Sequence, residues 1–182
     1  MQTVFIVLAS LAGLLALAVG GLYVAGRLGN GATHETSIEI AAPPGRVWRF
    51  LVDPERVKSW VGGLKTIESL TPDKGLEIGA RDRLLVEVGG KEHEIFSEVT
   101  QVETGRMVEQ QLSQAGPLAW QEVARFTIEP IGENRVRFVV TASYTYTSFP
   151  GIVMEPVIRI AARKKLAEDL ARLKGLVEGA GR

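Results

Sequence analysis

The sequence predicts an α+β fold, an antiparallel sheet covered on one face by a long C-terminal helix, preceded by one N-terminal transmembrane helix. Three observations predict this fold. Residues 3–26 form an uncharged apolar run. Strand patterns alternate with turn signals from residue 64 to residue 146. After Phe149, apolar residues recur every three or four positions to about residue 178, which is typical of an amphipathic helix. A helix packed on one face of an antiparallel sheet is a stable two-layer arrangement.

The first segment, residues 1–26, is predicted to be a membrane anchor. The first charged side chain is Arg27, and the apolar run reaches the roughly 20 residues that a helix needs to cross a bilayer. A cleaved secretory signal is the alternative, because Ala16-Leu17-Ala18 resembles a cleavage site. Against it, no Lys or Arg precedes the run, and the run is longer than the roughly 7–15 apolar residues of a signal peptide.

The flanks of this segment predict its orientation. Arg27, Arg46 and Arg49 all lie on its C-terminal side, so a single-pass protein with its domain on the cytoplasmic side is expected. Residues 27–34 are glycine-rich and are predicted to be a juxtamembrane linker. A stripe of small residues at spacing four favours a weak homodimer through the anchor. Its members are Ala12, Ala16 and Gly20.

The composition excludes several classes of function. Lys plus Arg and Asp plus Glu both number 21, so no basic surface for nucleic acid is predicted. The chain has no cysteine and only His34 and His93, which leaves no zinc site of the Cys/His kind. A Ser-His-Asp arrangement is nearly excluded on the same ground. We expect neither a metal nor a cofactor.

The predicted elements follow one another in a simple order. A strand at 36–40 alternates polar and apolar residues and is broken by Pro43-Pro44-Gly45. Two short helices, 46–52 and 55–61, are divided at Asp53-Pro54, since proline suits a first helical turn. Six strands follow, joined in part by hairpin turns at 89–90, 103–105 and 132–134. The strands are 64–70, 81–88, 92–102, 107–112, 118–129 and 135–147. Pro156 must lie in the first turn of the last helix or kink it.

The segment SIEIAAPPGRVWRFLVDPERVKSWVGGLKTIE resembles the opening of the START-like, or SRPBCC, superfamily. The residues that match its pattern are Ala42, Pro43, Val47, Trp48, Leu51, Asp53 and Trp60. FSEVTQVETGRMVEQQL resembles the middle hairpin of that superfamily, FTIEPIGENRVRFVVTASYTY its last hairpin and LAEDLARLKGLVE its closing helix. The resemblance covers residues 35–178, leaves 179–182 as a tail, and is nearest to the polyketide cyclase/dehydrase and coenzyme Q-binding branches. It implies a helix-grip fold with a pocket between the concave sheet face and the last helix.

Strand periodicity predicts which side chains line that implied pocket. In the last strand the inward set runs by twos from Val136 to Tyr146, and in the strand before it the set includes Trp120 and Glu122. In strand 81–88 it includes Leu84, Val86 and Val88. The predicted ligand-binding residues are Trp60, Leu84, Val86, Trp120, Glu122, Phe138, Val140, Tyr144, Tyr146 and Ile158. The aromatic members have a plain alternative as packed core.

Glu122 is the one candidate for catalysis. A carboxylate on an apolar inward face is unfavourable unless it is paired or hydrated, and burial raises its pKa toward the range of a proton acceptor. Two other arrangements would remove this role. A bulge near Val123 would turn Glu122 outward, or the carboxylate would be solvated at the pocket mouth.

Two other charged groups have simpler interpretations. Glu92, His93 and Glu94 are consecutive in a strand, so they point to opposite faces and are expected at a solvated hairpin edge. The last helix carries a basic set that either faces solvent or contacts anionic lipid headgroups. Its members are Arg159, Arg163, Lys164, Lys165, Arg172 and Lys174.

Three functions are consistent with the sequence. The first is a membrane-anchored, non-catalytic binding module for a hydrophobic small molecule, such as a lipid, a quinone or a polyketide-like compound. The second is a cyclase/dehydratase-type enzyme that uses Glu122, with Tyr144, for proton transfer. The third is a protein-interaction module with a vestigial pocket, which would show a contiguous exposed apolar patch.

Overall fold

A computed structural model describes residues 2–179, with the side chains of residues 10–179. Four helices and seven strands lie in the order α1-β1-α2-α3-β2-β3-β4-β5-β6-β7-α4. Their bounds are α1 (Gln2–Gly29), β1 (Thr33–Ile40), α2 (Pro44–Val52), α3 (Pro54–Trp60), β2 (Leu64–Ser69), β3 (Arg81–Val88), β4 (Lys91–Glu103), β5 (Met107–Gln114), β6 (Trp120–Gly132), β7 (Arg135–Tyr146) and α4 (Phe149–Gly179). A short 3₁₀ turn, Pro72–Lys74, lies between β2 and β3.

The strands form one antiparallel sheet in the order β1-β7-β6-β5-β4-β3-β2. The sheet is curved and grips the long helix α4, so the predicted helix-grip fold is confirmed. The predicted element bounds agree to within a few residues. The main difference is at the first strand, which begins at Thr33, while α1 continues to Gly29. Only residues 30–32 therefore separate the N-terminal helix from the sheet.

The core lies between α2, α3, the C-terminal half of α4 and one end of the sheet. Phe138, Ile128 and Leu173 are at most 1% exposed, and the ring of Phe126 stacks on that of Phe138 at 6.3 Å. Asp169, which is buried on α4, accepts hydrogen bonds from Gly62 N at 3.1 Å and from the Arg172 guanidinium. This contact holds the C-terminal half of α4 against the loop that follows α3.

The link between α1 and β1 is tightly bonded to the edge of the sheet. Asn30 pairs with the backbone of Tyr146 through both ends of its side-chain amide, with distances of 3.0 and 2.7 Å. Gly31 N donates to Tyr144 O at 2.7 Å, and Ser143 Oγ donates to Gly31 O at 2.9 Å. These bonds continue the pairing of β1 with β7, so the end of α1 is fixed to the domain.

Helices α1 and α4 pack side by side in the same direction. The ring of Tyr23 stacks on that of Phe149 at 5.3 Å. A β-carbon placed on Gly26 would lie 1.8 Å from Ile152 O, and one placed on Gly29 would lie 2.8 Å from the Glu155 carboxylate. Each step of three residues along α1 thus matches a step of three along α4, which defines a parallel pair.

The closest approach of these two helices depends on a glycine and a proline. Pro156 lies inside α4 and has no N–H, so Ile152 O, four residues earlier, loses its usual helical donor. This carbonyl oxygen lies against Gly26, which is buried. A glycine Cα–H beside a carbonyl oxygen makes a weak favourable contact, and a side chain at position 26 would push the helices apart.

Within the described residues, Ser10–Gly29 is long and apolar enough to cross a membrane, with a mean hydropathy of 1.7. Only 6% of an 18-residue window of this stretch is buried against the rest of the protein. A membrane span and a signal sequence both meet this description. Leu14, Leu15 and Leu17 in this stretch are 67%, 67% and 75% exposed.

Replacing Gly26 by alanine is expected to separate α1 from α4, because the new methyl group would collide with Ile152 O. Gly21→Ala is the matched control, since a β-carbon at Gly21 meets nothing within 4 Å. The measurement is cross-linking by a short bismaleimide between cysteines introduced at Tyr23 and Phe149, in a chain that has no cysteine of its own. The yield should fall several-fold with Gly26→Ala and stay unchanged with Gly21→Ala. Equal yields would contradict the close packing.

Candidate functional site

Glu122 lies on the inward face of the sheet, between partners on both neighbouring strands. It pairs with Tyr144 of β7 and with Leu112 of β5, and the pairing of β6 with β7 is regular from Trp120 to Pro130. The described strand therefore has no bulge at Val123, and the side chain of Val123 points to the outer face, where it is 45% exposed. The alternative in which a bulge turns Glu122 to the outer face is therefore wrong.

Glu122 and Tyr144 form a hydrogen-bonded acid pair. The Tyr144 hydroxyl donates to the Glu122 carboxylate. Burial raises the pKa of Glu122 to about 7, although the Tyr144 hydrogen bond opposes the rise. Burial also raises the pKa of Tyr144 well above its ordinary range, and the nearby Glu122 carboxylate adds to that effect. At neutral pH the carboxyl of Glu122 can thus either give or accept a proton, while Tyr144 stays protonated.

A chain of side chains extends this polar group across the sheet. The Trp120 ring meets the Tyr144 ring edge-on at 6.0 Å, and Trp120 Nε1 donates to Gln114 Oε1 at 3.3 Å. Gln114 Nε2 in turn lies 3.4 Å from His93 Nδ1. His93 therefore faces inward rather than lying at a solvated edge. Among the residues the structure describes, no His, Asp and Glu cluster could hold a metal ion.

Two adjoining cavities lie on the other side of Tyr144, between α4 and the β1–β7 edge of the sheet. Their volumes are about 10 and 30 Å³, which is room for roughly one or two water molecules. Both are lined by His34, Tyr144, Arg159 and Ala162. A larger molecule can enter this space only if α4 moves away from the sheet.

The floor of the smaller cavity carries a second polar group, formed by α4 and β1. Glu155 is 3% exposed and pairs with Arg159 Nε at 3.3 Å. Within residues 10–179, its Oε2 has no hydrogen-bond partner. Arg163 donates to His34 Nδ1 at 2.7 Å. Burial lowers the pKa of His34, and the charges of Arg163 and Arg159 lower it further. Burial, together with the carboxylates of Glu155 and Glu122, raises the pKa of Tyr146 to about 12.

The predicted site residues fall into four sets in the structure. Trp120, Glu122, Tyr144 and Tyr146 come together around the acid pair and the cavities. Leu84 and Val86 lie on the same concave face, but on β3, at the far side of the sheet. Trp60, Phe138 and Val140 are buried in the core; the indole N–H of Trp60 donates to Phe50 O at 2.9 Å. Ile158 is half-buried on α4.

The sequence reading missed the polar residues that meet at the cavities. His34 falls in the predicted linker, yet it alternates with Thr36, Ile38 and Ile40, which form the inward face of β1. That alternation was the available signal for an inward His34. Glu155 and Arg159 have the spacing of a helical ion pair. Nothing in the sequence indicates that α1 covers Glu155.

Comparisons with known proteins agree with this geometry. A family profile described as "Polyketide cyclase / dehydrase and lipid transport" matches residues 32–178. A conserved protein from Geobacillus kaustophilus superposes with a TM-score of 0.70 at 15% identity, covering 82% of this chain and 97% of its own. An aromatase/cyclase, ZhuI, from Streptomyces sp. R1128 gives 0.70 at 16%, covering 83% and 96%.

A START superfamily protein from Mycobacterium smegmatis gives a TM-score of 0.66 at 21% identity, covering 81% of this chain and 98% of its own. A search among curated proteins gave no match. At these identities the structural likenesses establish the fold. Together with the family match, they confirm the resemblance to the START-like superfamily.

Replacing Glu122 by glutamine is expected to stabilise the protein at pH 8 but not at pH 4. An acid whose pKa is raised on folding from 4.5 to about 7 is neutral in both states at low pH. Between these two pKa values the unfolded chain ionises while the folded protein keeps the proton, so the free energy of unfolding falls across this range and the loss is complete above a pH of about 7. The difference corresponds to about 3 kcal/mol above that pH. Thermal unfolding of the full chain in detergent, followed by tryptophan fluorescence, measures it.

Glu129→Gln is the matched control, because Glu129 is on the same strand but exposed on the outer face. Its unfolding temperature should follow that of the unchanged protein at every pH. If Glu122→Gln also does so, the carboxyl of Glu122 is not buried as described.

Proposed function

This chain belongs to the polyketide cyclase / dehydrase and lipid transport family, and we propose that it is a membrane-anchored binding module for a hydrophobic small molecule. A lipid, a quinone or a polyketide-like compound would lie between the concave sheet face and α4. The observation that carries the proposal is the Glu122–Tyr144 pair, a buried polar group on an inward sheet face that also carries apolar side chains. Sites for small molecules commonly combine apolar side chains with a few placed polar groups.

The apolar side chains on the inward face suit the apolar part of a ligand that has a polar end. Leu84, Ile95 and Leu112 face inward along β3, β4 and β5 and are half-buried. Trp120, which pairs with Gln114 of β5, is on the same face. A ligand hydroxyl or carbonyl would exchange hydrogen bonds with Glu122 and Tyr144, because the first accepts or donates near neutral pH and the second donates.

The position of the pair at one end of the sheet supports uptake from a bilayer. Trp120 and Tyr146 are the last pair of β6 and β7 at the end where α1 joins the domain, and Asn30 is bonded to Tyr146 there. If α1 is retained as an anchor, the polar pair is held near the membrane surface. We place the domain on the cytoplasmic side, because the basic residues flanking α1 lie on the domain side. Tethering then raises the effective concentration of the domain near its ligand.

Opening is part of the proposal, since the cavities hold roughly one or two waters. Helix α4 is held at Ile152 by α1 and at Asp169 by the loop after α3. The stretch between these two contacts supplies the α4 wall of both cavities. An outward movement of that stretch would enlarge them without releasing either contact.

A second candidate is a cyclase/dehydratase-type enzyme. It is favoured by the pKa of Glu122, which at about 7 suits a general acid or base at neutral pH. Glu122 would take a proton from a substrate carbon or oxygen, and Tyr144 would hydrogen-bond the oxygen on which charge develops. The two candidates share one site and differ in whether the bound molecule changes.

Photo-cross-linking in membranes tests both candidates. Benzoylphenylalanine replaces Trp120, which faces inward, or the adjacent Gln121, which is exposed on the outer face. After irradiation of cell membranes, intact-mass analysis of the full chain should show adducts of one defined hydrophobic class at position 120 and none of that class at position 121. The same adducts at both positions, or none at position 120, would contradict a ligand in this site.

The variant Glu122→Gln, combined with the cross-linker at position 120, separates a binding module from an enzyme. For a binding module, the adduct keeps its mass and its yield falls several-fold. For an enzyme, the adduct changes mass, because a substrate that is no longer converted accumulates. Glu129→Gln is again the control and should change neither mass nor yield.

A further inference from the structure

The first three turns of α4 present an exposed apolar face, which we call the α4 arc. Four of its large members are 59%, 39%, 52% and 71% exposed: Phe149, Met154, Val157 and Ile160. Val153 and Ala161 lie between them on the same side of the helix, because residues three, four, seven and eight apart share a face. The only charged residues from 149 to 162 are Glu155 and Arg159. Both lie toward α1 and the cavities, so the arc carries no charge.

The packing of α1 fixes how deep this arc lies relative to a bilayer. Three contacts join the two helices at intervals of three residues: Tyr23 with Phe149, Gly26 with Ile152 and Gly29 with Glu155. Each residue of α1 in this region therefore lies at the same height as one residue of α4. The first charge, Arg27, is level with Val153. Phe149 lies four residues nearer the membrane, or about 6 Å at 1.5 Å per residue. With Arg27 at the boundary of the hydrocarbon, the start of α4 would therefore lie just inside that boundary, next to α1.

A neighbouring hairpin extends the uncharged surface at the same level. Residues 115–119 connect β5 to β6 and contain no charged side chain. Ser148 Oγ donates to Pro117 O at 2.8 Å and also accepts from Gly151 N at 3.1 Å. Ser148 thus caps α4 and ties its first turn to this hairpin, on which Leu118 is 38% exposed.

We propose that the α4 arc, with this hairpin, docks into the interface of the lipid bilayer beside α1. The inference rests on the proposed role of α1 as a membrane anchor and adds a second, peripheral contact. A helix with an uncharged apolar face suits the boundary between headgroups and acyl chains. The arc ends where charge returns at Arg163 and Lys164, which are exposed.

Docking in this way gives the cavities a short route to the lipid. Arg159 and Ala162 line the cavities from the same turns of α4 whose other side carries Val157 and Ile160. The distance across the helix is about 10 Å. A movement of α4 that opens the cavities would therefore take place at the membrane surface.

Depth-dependent quenching tests this docking surface. Single cysteines replace Met154, Val157 or Ile160 in the full chain, and each is labelled with a nitrobenzoxadiazole dye. The proteins are reconstituted in vesicles of phosphatidylcholine and phosphatidylglycerol. Leu17→Cys reports whether α1 is inserted. Leu176→Cys is the matched surface control, because Leu176 is an exposed apolar residue, at 39%, on the C-terminal half of the same helix.

We expect spin-labelled lipid to quench the three arc positions and aqueous iodide to quench them several-fold less than Leu176→Cys. Lipid quenching should fall from position 154 to 157 to 160. If the arc labels are quenched by iodide as strongly as Leu176→Cys while Leu17→Cys is quenched by lipid, the proposed docking surface is wrong and the membrane anchor is supported. Arc labels shielded from both quenchers would overturn it in favour of a protein partner. A water-exposed Leu17→Cys would overturn the anchor and the docking surface together.

Discussion

The contact between Gly26 and the Ile152 carbonyl oxygen determines the orientation of the domain relative to its N-terminal helix, α1. Pro156 removes the helical donor from that carbonyl, and Gly26 lets α1 approach it without a side chain. Because Asn30, four residues after Gly26, bonds the C-terminal end of β7, α1 and the sheet share one rigid junction. The sheet end that carries the acid pair is thereby held next to α1. An apolar segment joined by a flexible linker would impose no such orientation.

Burial gives the candidate site its acid–base properties, and the pairing of β6 with β7 determines which side chains meet there. Glu122 and Tyr144 are opposite residues on neighbouring strands, so their side chains meet wherever both face inward. The carboxyl keeps its proton to near neutral pH because it is removed from water, and Tyr144 only partly offsets that effect. A group that is poised in this way can recognise a polar end of a ligand or transfer a proton. The two functions therefore rest on the same pair.

The fold was predictable from local patterns, whereas the cavities were not. Alternation in β7 assigned Phe138, Val140 and Tyr144 to one face, and turn residues such as Gly89-Gly90 set the hairpins. The inward position of Glu122 followed by counting along β6. Trp60 was misleading because an aromatic residue facing inward can equally complete the core, where its indole bonds Phe50 O. The meeting of His34, Glu155 and Arg159 depends on α1 packing against α4, a contact that no local pattern encodes.

Native mass spectrometry of the full chain, released from detergent micelles, is the most direct test of a bound hydrophobic molecule. Denaturing extraction and lipid analysis of the same sample identify whatever is released. We expect a single co-purifying class of apolar compound with one polar end, present in the unchanged protein and in Glu129→Gln and depleted in Tyr144→Phe. A protein that is empty after mild extraction, or that carries the same mixed detergent and lipid in all three forms, would contradict this expectation.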